Sequence, residues 1–168
     1  MDAVEDTRAR FRPKRITTLF VGESAPTSGD FFYYGNNAMF RYMQRAVQRA
    51  LGEDGDFLQR FKGYGWYLDD LVLTPVNKLT KSQREAKCLD AQNSLADRIA
   101  AYQPEAIVSL LIVIKPYVER AADIASSNAS RYVVPFPGMG QQARFQAPMA
   151  RIIPELPRLS DSVHGSLY

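Results

Sequence analysis

The chain of 168 residues carries a net charge of +3, with 46% hydrophobic and 23% charged residues, values typical of a soluble globular protein with one domain. No apolar run approaches the roughly 20 residues of a membrane-spanning helix, and the N-terminus lacks the apolar core of a signal peptide, so we expect a cytoplasmic protein. The single cysteine, Cys88, excludes an internal disulfide and any zinc or iron–sulfur site that needs several cysteines.

The N-terminal segment carries a cluster of cations: Arg8, Arg10, Arg12, Lys14 and Arg15. We expect residues 1–14 to form a flexible basic segment. Such a segment can lie against the phosphates of a nucleic acid, or it can be a solvated disordered tail, and the composition leaves both alternatives open.

The first predicted strand, at residues 15–21, ends at Gly22, and the loop after it is the most informative part of the chain. This loop contains a carboxylate (Glu23), a hydroxyl (Ser24) and four consecutive aromatic residues at 31–34. Ligands of open α/β sheets bind just past the carboxyl ends of the strands, so we expect a site here. The alternative is an ordinary strand-to-helix connection in which proline and glycine mark the turns.

Strands and helices alternate along the rest of the chain. Asn36 or Asn37 is a predicted helix cap, and apolar residues at steps of three and four follow it as far as Leu51. The later predicted elements are a short helix at 57–61, a strand at 67–73, a helix from a capping box at 82–85 to 102, a strand at 106–112, a helix at 115–125, a strand at 132–136 and a last helix from 141 to near 154. This alternation predicts an α/β fold: a three-layer α/β/α sandwich with a central, mainly parallel four-stranded sheet, in one domain at 15–157 with a tail at 158–168.

Three loops leave the carboxyl ends of predicted strands and open toward one edge of the sheet, at 22–34, 70–78 and 135–144. Their aromatic side chains suit stacking on a flat polar ring, and their donors and acceptors suit reading its edge. A nucleotide or a small aromatic ligand fits nearly as well. The only histidine, His164, lies in the tail, and no P-loop pattern occurs. A hydrolytic step would therefore need a carboxylate general base, for which Glu23 is the best placed.

The order of these motifs resembles that of the uracil-DNA glycosylase superfamily over roughly residues 15–155. Gly22-Glu23-Ser24-Ala25-Pro26 is similar to the GEAPG form of the first family motif, with one extra residue before the proline. The strand at 67–72 places Asp70 where the family has an asparagine that reads the edge of uracil. The stretch at 104–110 is similar to the family's third strand. The stretch at 134–139 stands in place of an HPSP-like motif, with Phe136 instead of the histidine that supports the leaving base.

The resemblance implies a DNA-repair glycosylase that takes a damaged base, uracil or another deaminated base, out of DNA and hydrolyses its N-glycosidic bond. Glu23 would orient or activate the water, and Phe32, or else Phe31, would stack on the base. Ser24, Asp70 and Phe136 would complete the base site, and Met139 would wedge into the duplex. The remaining DNA contacts would come from Lys78, Gln141, Gln142 and Arg144. The partner would be DNA, single- or double-stranded, and the protein a monomer.

The helix with Cys88 resembles a branch of this family whose members bind an iron–sulfur cluster through four cysteines. Only one cysteine is present, so we expect no cluster, no other cofactor and no metal.

Two departures from the family pattern change the expected chemistry. Phe136 cannot donate a hydrogen bond to a departing base anion, so backbone N–H groups at 138–141 or the Gln141 amide would have to replace it. An ionised Asp70 only accepts hydrogen bonds, and it suits a base that presents N–H or NH₂ groups, such as a deaminated or otherwise altered purine. The alternatives are a catalytically inactive nucleic-acid or nucleotide binder on the same fold and, third, a hydrolase of free nucleosides.

Overall fold

Four parallel strands form the central sheet, in a computed structural model that describes residues 3–52, 55–138 and 140–159. The strands are β1 (Thr18–Gly22), β2 (Trp66–Asp70), β3 (Ala106–Ser109) and β4 (Ser130–Val133), and their order in the sheet is β2-β1-β3-β4. β1, β2 and β3 are buried along almost their whole length. Continuous burial of this kind is typical of parallel strands that are covered on both faces.

Seven α-helices accompany the sheet in the described part of the chain: α1 (Ala3–Arg10), α2 (Ala38–Leu51), α3 (Phe57–Gly63), α4 (Lys81–Asp90), α5 (Gln92–Tyr102), α6 (Lys115–Ile124) and α7 (Gln142–Ile152). α2 packs against α7, and α5 packs against both α4 and α6. A parallel sheet with helices in two groups is a three-layer α/β/α sandwich, so the predicted fold class is confirmed. None of these helices is long and apolar enough to cross a membrane.

The ends of α2 follow local rules that are readable in the sequence. The Asn37 side chain accepts a hydrogen bond from the Phe40 N–H at 2.8 Å, which makes Asn37 the N-cap. Gly52 ends the helix in the left-handed conformation, with φ of 69°, where a residue without a Cβ is favoured. Both signals are local, and the predicted cap and helix end are confirmed.

The helix predicted as one piece from 82 to 102 is two helices. α4 ends at Asp90 and α5 begins at Gln92, with Ala91 between them. The capping box also differs: the Thr80 hydroxyl accepts from the Gln83 N–H, and the Gln83 side chain accepts from the Thr80 N–H. The prediction was wrong by two residues because Thr80–Gln83 and Ser82–Glu85 fit the same pattern, and only the hydrogen bonds distinguish them.

The N-terminal segment differs from its prediction of flexibility. Residues 3–10 form α1, and Arg8 is only 3% exposed. The Phe11 ring stacks on Tyr33 with a centroid distance of 5.2 Å. α1 is therefore held by buried contacts with distant residues, and a segment held in this way is neither a free phosphate-binding arm nor a solvated tail in its described part.

The predicted tail at 158–168 begins inside the fold. The carbonyl oxygen of Pro157 accepts hydrogen bonds from Trp66 Nε1 at 2.8 Å and from the Thr17 hydroxyl at 2.9 Å. The Leu159 N–H donates to the carbonyl oxygen of Tyr64. Residues 160–168, with His164, lie outside the described residues.

Tyr33 closes the outer edge of β2. β2 pairs with β1 on one side only within the described chain, so its other edge needs partners for the backbone. The buried Tyr33 hydroxyl accepts a hydrogen bond from the Leu68 N–H at 2.7 Å and donates one to the Leu68 carbonyl oxygen at 2.9 Å. One side chain therefore satisfies both backbone groups of the residue two positions before Asp70.

We expect Tyr33→Phe to lower the free energy of unfolding by about 1–3 kcal/mol, because it leaves two buried backbone groups of Leu68 without their partner. Urea denaturation measures this. The matched control is Tyr34→Phe, since Tyr34 is adjacent and 42% exposed; it should change stability by less than about 0.5 kcal/mol. Equal stability of the two variants would show that Tyr33 does not support this edge.

Candidate functional site

The loops after β1 and β2 run side by side beyond the sheet. The Leu71 N–H donates to the Gly22 carbonyl oxygen at 2.8 Å, and the Val72 N–H donates to the Glu23 carbonyl oxygen at 2.9 Å. Gly22 and Asp70 are partners in the strand register. The carboxyl ends of these two strands therefore form one continuous edge, and they bring Glu23 and Asp70 to the same place.

A cavity of about 600 Å³ opens at this edge. Its volume lies in the usual range of small-ligand sites. Its walls include five of the predicted site residues: Glu23, Ser24, Phe32, Asp70 and Phe136. The residues that the sequence assigns to one site thus line one cavity, although their chemical roles stay predictions.

Aromatic side chains form much of the apolar wall. Phe31 and Phe32 are each 2% exposed and line the cavity, whereas Tyr34 is exposed. Phe136 is 43% exposed, and its ring lies so close to Gly138 that an added Cβ there would be 2.6 Å from the ring edge. The cavity therefore has buried aromatic side chains in its wall and one exposed aromatic ring.

A buried charge cluster lies behind the polar wall and consists of Arg8, Asp69, Asp70 and Arg98. Arg8 Nη1 donates to Asp70 Oδ2 at 3.0 Å and lies 3.6 Å from Asp69 Oδ1. Arg98 Nη1, from α5, donates to Asp69 Oδ2 and to the carbonyl oxygen of Asp70, both at 2.8 Å. Two guanidinium groups thus meet two adjacent carboxylates at the end of β2, and Arg8 also pairs with Glu5 of α1 at 3.2 Å.

Burial changes the acid–base properties of this cluster. Burial is the largest cause that raises the pKa of Asp70, Arg8 lowers it, and the Asp69 carboxylate raises it, so that the resulting pKa is about 6. For Arg8, burial disfavours the charge, but the carboxylates of Asp70, Asp69 and Glu5 outweigh burial and raise its pKa. Arg8 is therefore a permanent cation, and Asp70 is the group that can change charge near neutral pH.

Glu23 has a different environment. Its side chain is 15% exposed and forms an ion pair with Arg84 of α4. Glu23 and Arg84 also line a second cavity of about 270 Å³, together with Cys88 and Tyr117. Both residues of the ion pair therefore line the two cavities, and the ion pair forms a wall that the cavities share.

The predicted DNA contacts that the structure describes, Lys78, Gln141, Gln142 and Arg144, do not line the cavity. Lys78 and Arg144 are exposed, and Arg144 Nη1 donates to Gln141 Oε1 at 3.2 Å. Gln142 begins α7. Met139 lies outside the described residues. A phosphate contact belongs outside a base cavity, so the roles of these residues stay predictions. In the described part of the chain, no group of three or more His, Cys, Asp or Glu side chains could hold a metal ion.

Sequence reasoning missed the roles of three cations that complete the site: Arg8, Arg84 and Arg98. One signal was present, because two consecutive aspartates in a strand of otherwise apolar and aromatic residues need cationic partners if they are buried. The identity of those partners was not readable, since Arg8 lies 62 positions from Asp70.

We expect the Asp70 carboxyl to titrate near pH 6, and Arg8→Met to raise that pKa further, because the variant removes the cation that stabilises the ionised form. A carbon-detected NMR titration of the aspartate carboxyl groups measures both. Arg10→Met is the control, since Arg10 is an exposed residue of the same helix, and it should leave the titration unchanged. An Asp70 pKa that does not respond to Arg8→Met would contradict the ion pair.

The same raised pKa makes the free energy of unfolding depend on pH. The folded protein holds this proton more tightly than the unfolded chain does, whose carboxyl has a pKa of 3.8. The stabilising contribution of Asp70 is therefore complete below that value and is lost as the pH rises through about 6. Asp70→Asn should remove this part of the pH dependence in urea denaturation.

No known protein-family model matches the sequence, and no curated protein matches it.

Proposed function

We propose that the protein binds a damaged base, flipped out of DNA, in the cavity at the carboxyl edge of the sheet and hydrolyses the N-glycosidic bond of that base. The observation that carries the proposal is the pair of carboxylates, Glu23 and Asp70, in the wall of one aromatic-lined cavity. The resemblance of the motif order to the uracil-DNA glycosylase superfamily supports the same reading.

The shape and lining of the cavity suit a planar heterocycle. Enzymes that act on a flipped base hold it between apolar or aromatic side chains and read its edge by hydrogen bonds. Phe31 and Phe32 supply buried aromatic surface, and Asp70 supplies a buried acceptor at the same wall. A base can therefore be both stacked and read here.

The proposed reaction is the attack of water on the anomeric carbon of the nucleotide. A bond forms between that carbon and the water oxygen, the carbon–nitrogen bond breaks, and the base leaves with the bonding electron pair. Glu23 accepts a hydrogen bond from the water and takes its proton. Arg84 fixes the orientation of the Glu23 carboxylate through their ion pair. The departing base takes up a proton from solvent.

A catalytically inactive binder of nucleic acid or nucleotides is the second candidate. Two observations favour it: the Glu23 carboxylate is already paired with Arg84, and Phe136 offers no hydrogen-bond donor to a leaving base. Arg84 already donates to Glu23 Oε1, so fewer acceptor sites of the carboxylate are left for a water molecule. The two candidates differ in one product, since only the enzyme leaves an abasic site.

An alkaline-cleavage assay distinguishes them, with labelled oligonucleotides that carry uracil, hypoxanthine, xanthine or an oxidised pyrimidine, in single- and double-stranded form. We expect Glu23→Gln to lower single-turnover cleavage by about 100-fold or more while DNA binding stays nearly unchanged. Glu105→Gln is the matched control, because Glu105 is exposed and precedes β3 at the opposite end of the strands.

Unchanged cleavage by Glu23→Gln would refute the catalytic assignment of Glu23. Binding that weakens with salt, without any abasic product, would favour the inactive binder. Cleavage of free nucleosides with binding that is insensitive to salt would favour a nucleoside hydrolase.

A further inference from the structure

The two carboxylate oxygens of Asp70 have different neighbours. Its Oδ2 accepts a hydrogen bond from Arg8 Nη1 at 3.0 Å. Its Oδ1 lies beside Gly22, where an added Cβ would be 2.6 Å away, and both residues line the cavity. The carboxylate is thus held between α1 and β1, in the wall of the cavity.

Arg8 also contacts the aromatic wall. Its guanidinium lies 5.1 Å from the centroid of the Phe31 ring, and its side chain is 3% exposed. A single residue of α1 therefore fixes both a stacking surface and a hydrogen-bond acceptor of the cavity. Asp69 pairs with Arg98 at 2.8 Å and lies 3.6 Å from Arg8. Arg8 is nearer to Asp70, at 3.0 Å, and this ion pair favours the ionised form of Asp70.

We propose, on the basis of the function proposed above, that Arg8 and Asp70 make the cavity selective for bases whose edge presents two adjacent N–H donors. Guanine has such an edge, and so do damaged guanines that retain both donors. In this role Asp70 contacts the base, and Arg8 is a positioning residue.

The donors and acceptors on the edge of each base predict the order in which the bases bind. A carboxylate offers only acceptors, with about four lone-pair sites on its two oxygens. Oδ2 can therefore accept from Arg8 and still accept a second donor. Guanine and 8-oxoguanine present a ring N–H next to an amino group, which matches two acceptor oxygens. Hypoxanthine presents one ring N–H between a carbonyl and a C–H. Uracil and xanthine present an N–H between two carbonyl oxygens, and each carbonyl repels the carboxylate.

The protonation of Asp70 supplies a second expectation. The charged groups that face it are Arg8 and Glu5 from α1, Asp69 from β2 and Arg98 from α5. When Asp70 is protonated it gains a donor, and a carbonyl-bearing edge is no longer repelled. Discrimination against uracil should therefore weaken as the pH falls below about 6.

The test is equilibrium binding of the full chain to short single-stranded oligonucleotides that differ in one base, measured by fluorescence anisotropy with the cleavage assay in parallel. At slightly alkaline pH we expect 8-oxoguanine and guanine to bind best, hypoxanthine less well, and uracil and xanthine about 10-fold or more weaker than the best base. Asp70→Asn has nearly the same shape and offers both a donor and an acceptor, so it should reverse the preference toward uracil.

Arg8→Met supplies a readout that a merely structural role would not produce. The variant lets Asp70 take up a proton at higher pH, so selectivity at neutral pH should be lost and should return at more alkaline pH. Arg10→Met should keep the wild-type profile. A loss of selectivity that is independent of pH would overturn the positioning role of Arg8.

The outcomes separate this inference from the function on which it rests. Guanine-edge selectivity without cleavage of any base would support the inference and refute the glycosylase. Cleavage with a preference for uracil that Asp70→Asn does not change would refute the inference and support the glycosylase. Failure to bind any of the oligonucleotides would overturn both.

Discussion

Two adjacent aspartates are buried at the end of β2, and the rest of the site depends on how their charge is balanced. Asp69 and Asp70 have 2% and 5% of their surface exposed. Two carboxylates so close together are strongly unfavourable in a low-dielectric interior unless cations accompany them. Arg98 approaches from α5 and Arg8 from α1. Because loss of one partner of a buried pair costs about 3–5 kcal/mol, this charge balance holds α1 against the sheet.

The docking of α1 in turn organises the aromatic loop. The Arg8 guanidinium lies over Phe31, and Phe11 stacks on Tyr33, whose hydroxyl closes the outer edge of β2. The cavity wall is therefore supported from behind by a segment that contributes no residue to its lining. A rigid wall of this kind is what a site for a planar ring requires, because stacking and edge reading both depend on fixed positions.

Glu23 and Asp70, two of the carboxylates that line the cavity, differ in their surroundings, and this difference suits two roles. Asp70 is buried and held from behind by Arg8, whereas Glu23 is more exposed and paired with Arg84 at a wall shared with a second cavity. A buried, fixed acceptor suits the reading of a base edge. A carboxylate nearer to solvent suits the handling of a water molecule. In the function that we propose, the protein therefore separates recognition from chemistry through the environments of two similar side chains.

Some features of this protein were readable from the sequence because they are local. The alternation of apolar periods predicted the layers, Asn37 and Gly52 marked the ends of α2, and the position of the loop after β1 predicted where Glu23, Phe32 and Asp70 would meet. Thr80 and Ser82 fit one capping pattern equally well, so only the observed hydrogen bonds decided where α4 begins. The sequence by itself thus determined the sheet, α2 and the edge at which the cavity opens, but it did not determine α1 or the division between α4 and α5. The tertiary structure alone decided which cations meet the two carboxylates, because the pairs Arg8–Asp70 and Glu23–Arg84 join residues 62 and 61 positions apart, and charge neutralisation across such separations leaves no local pattern.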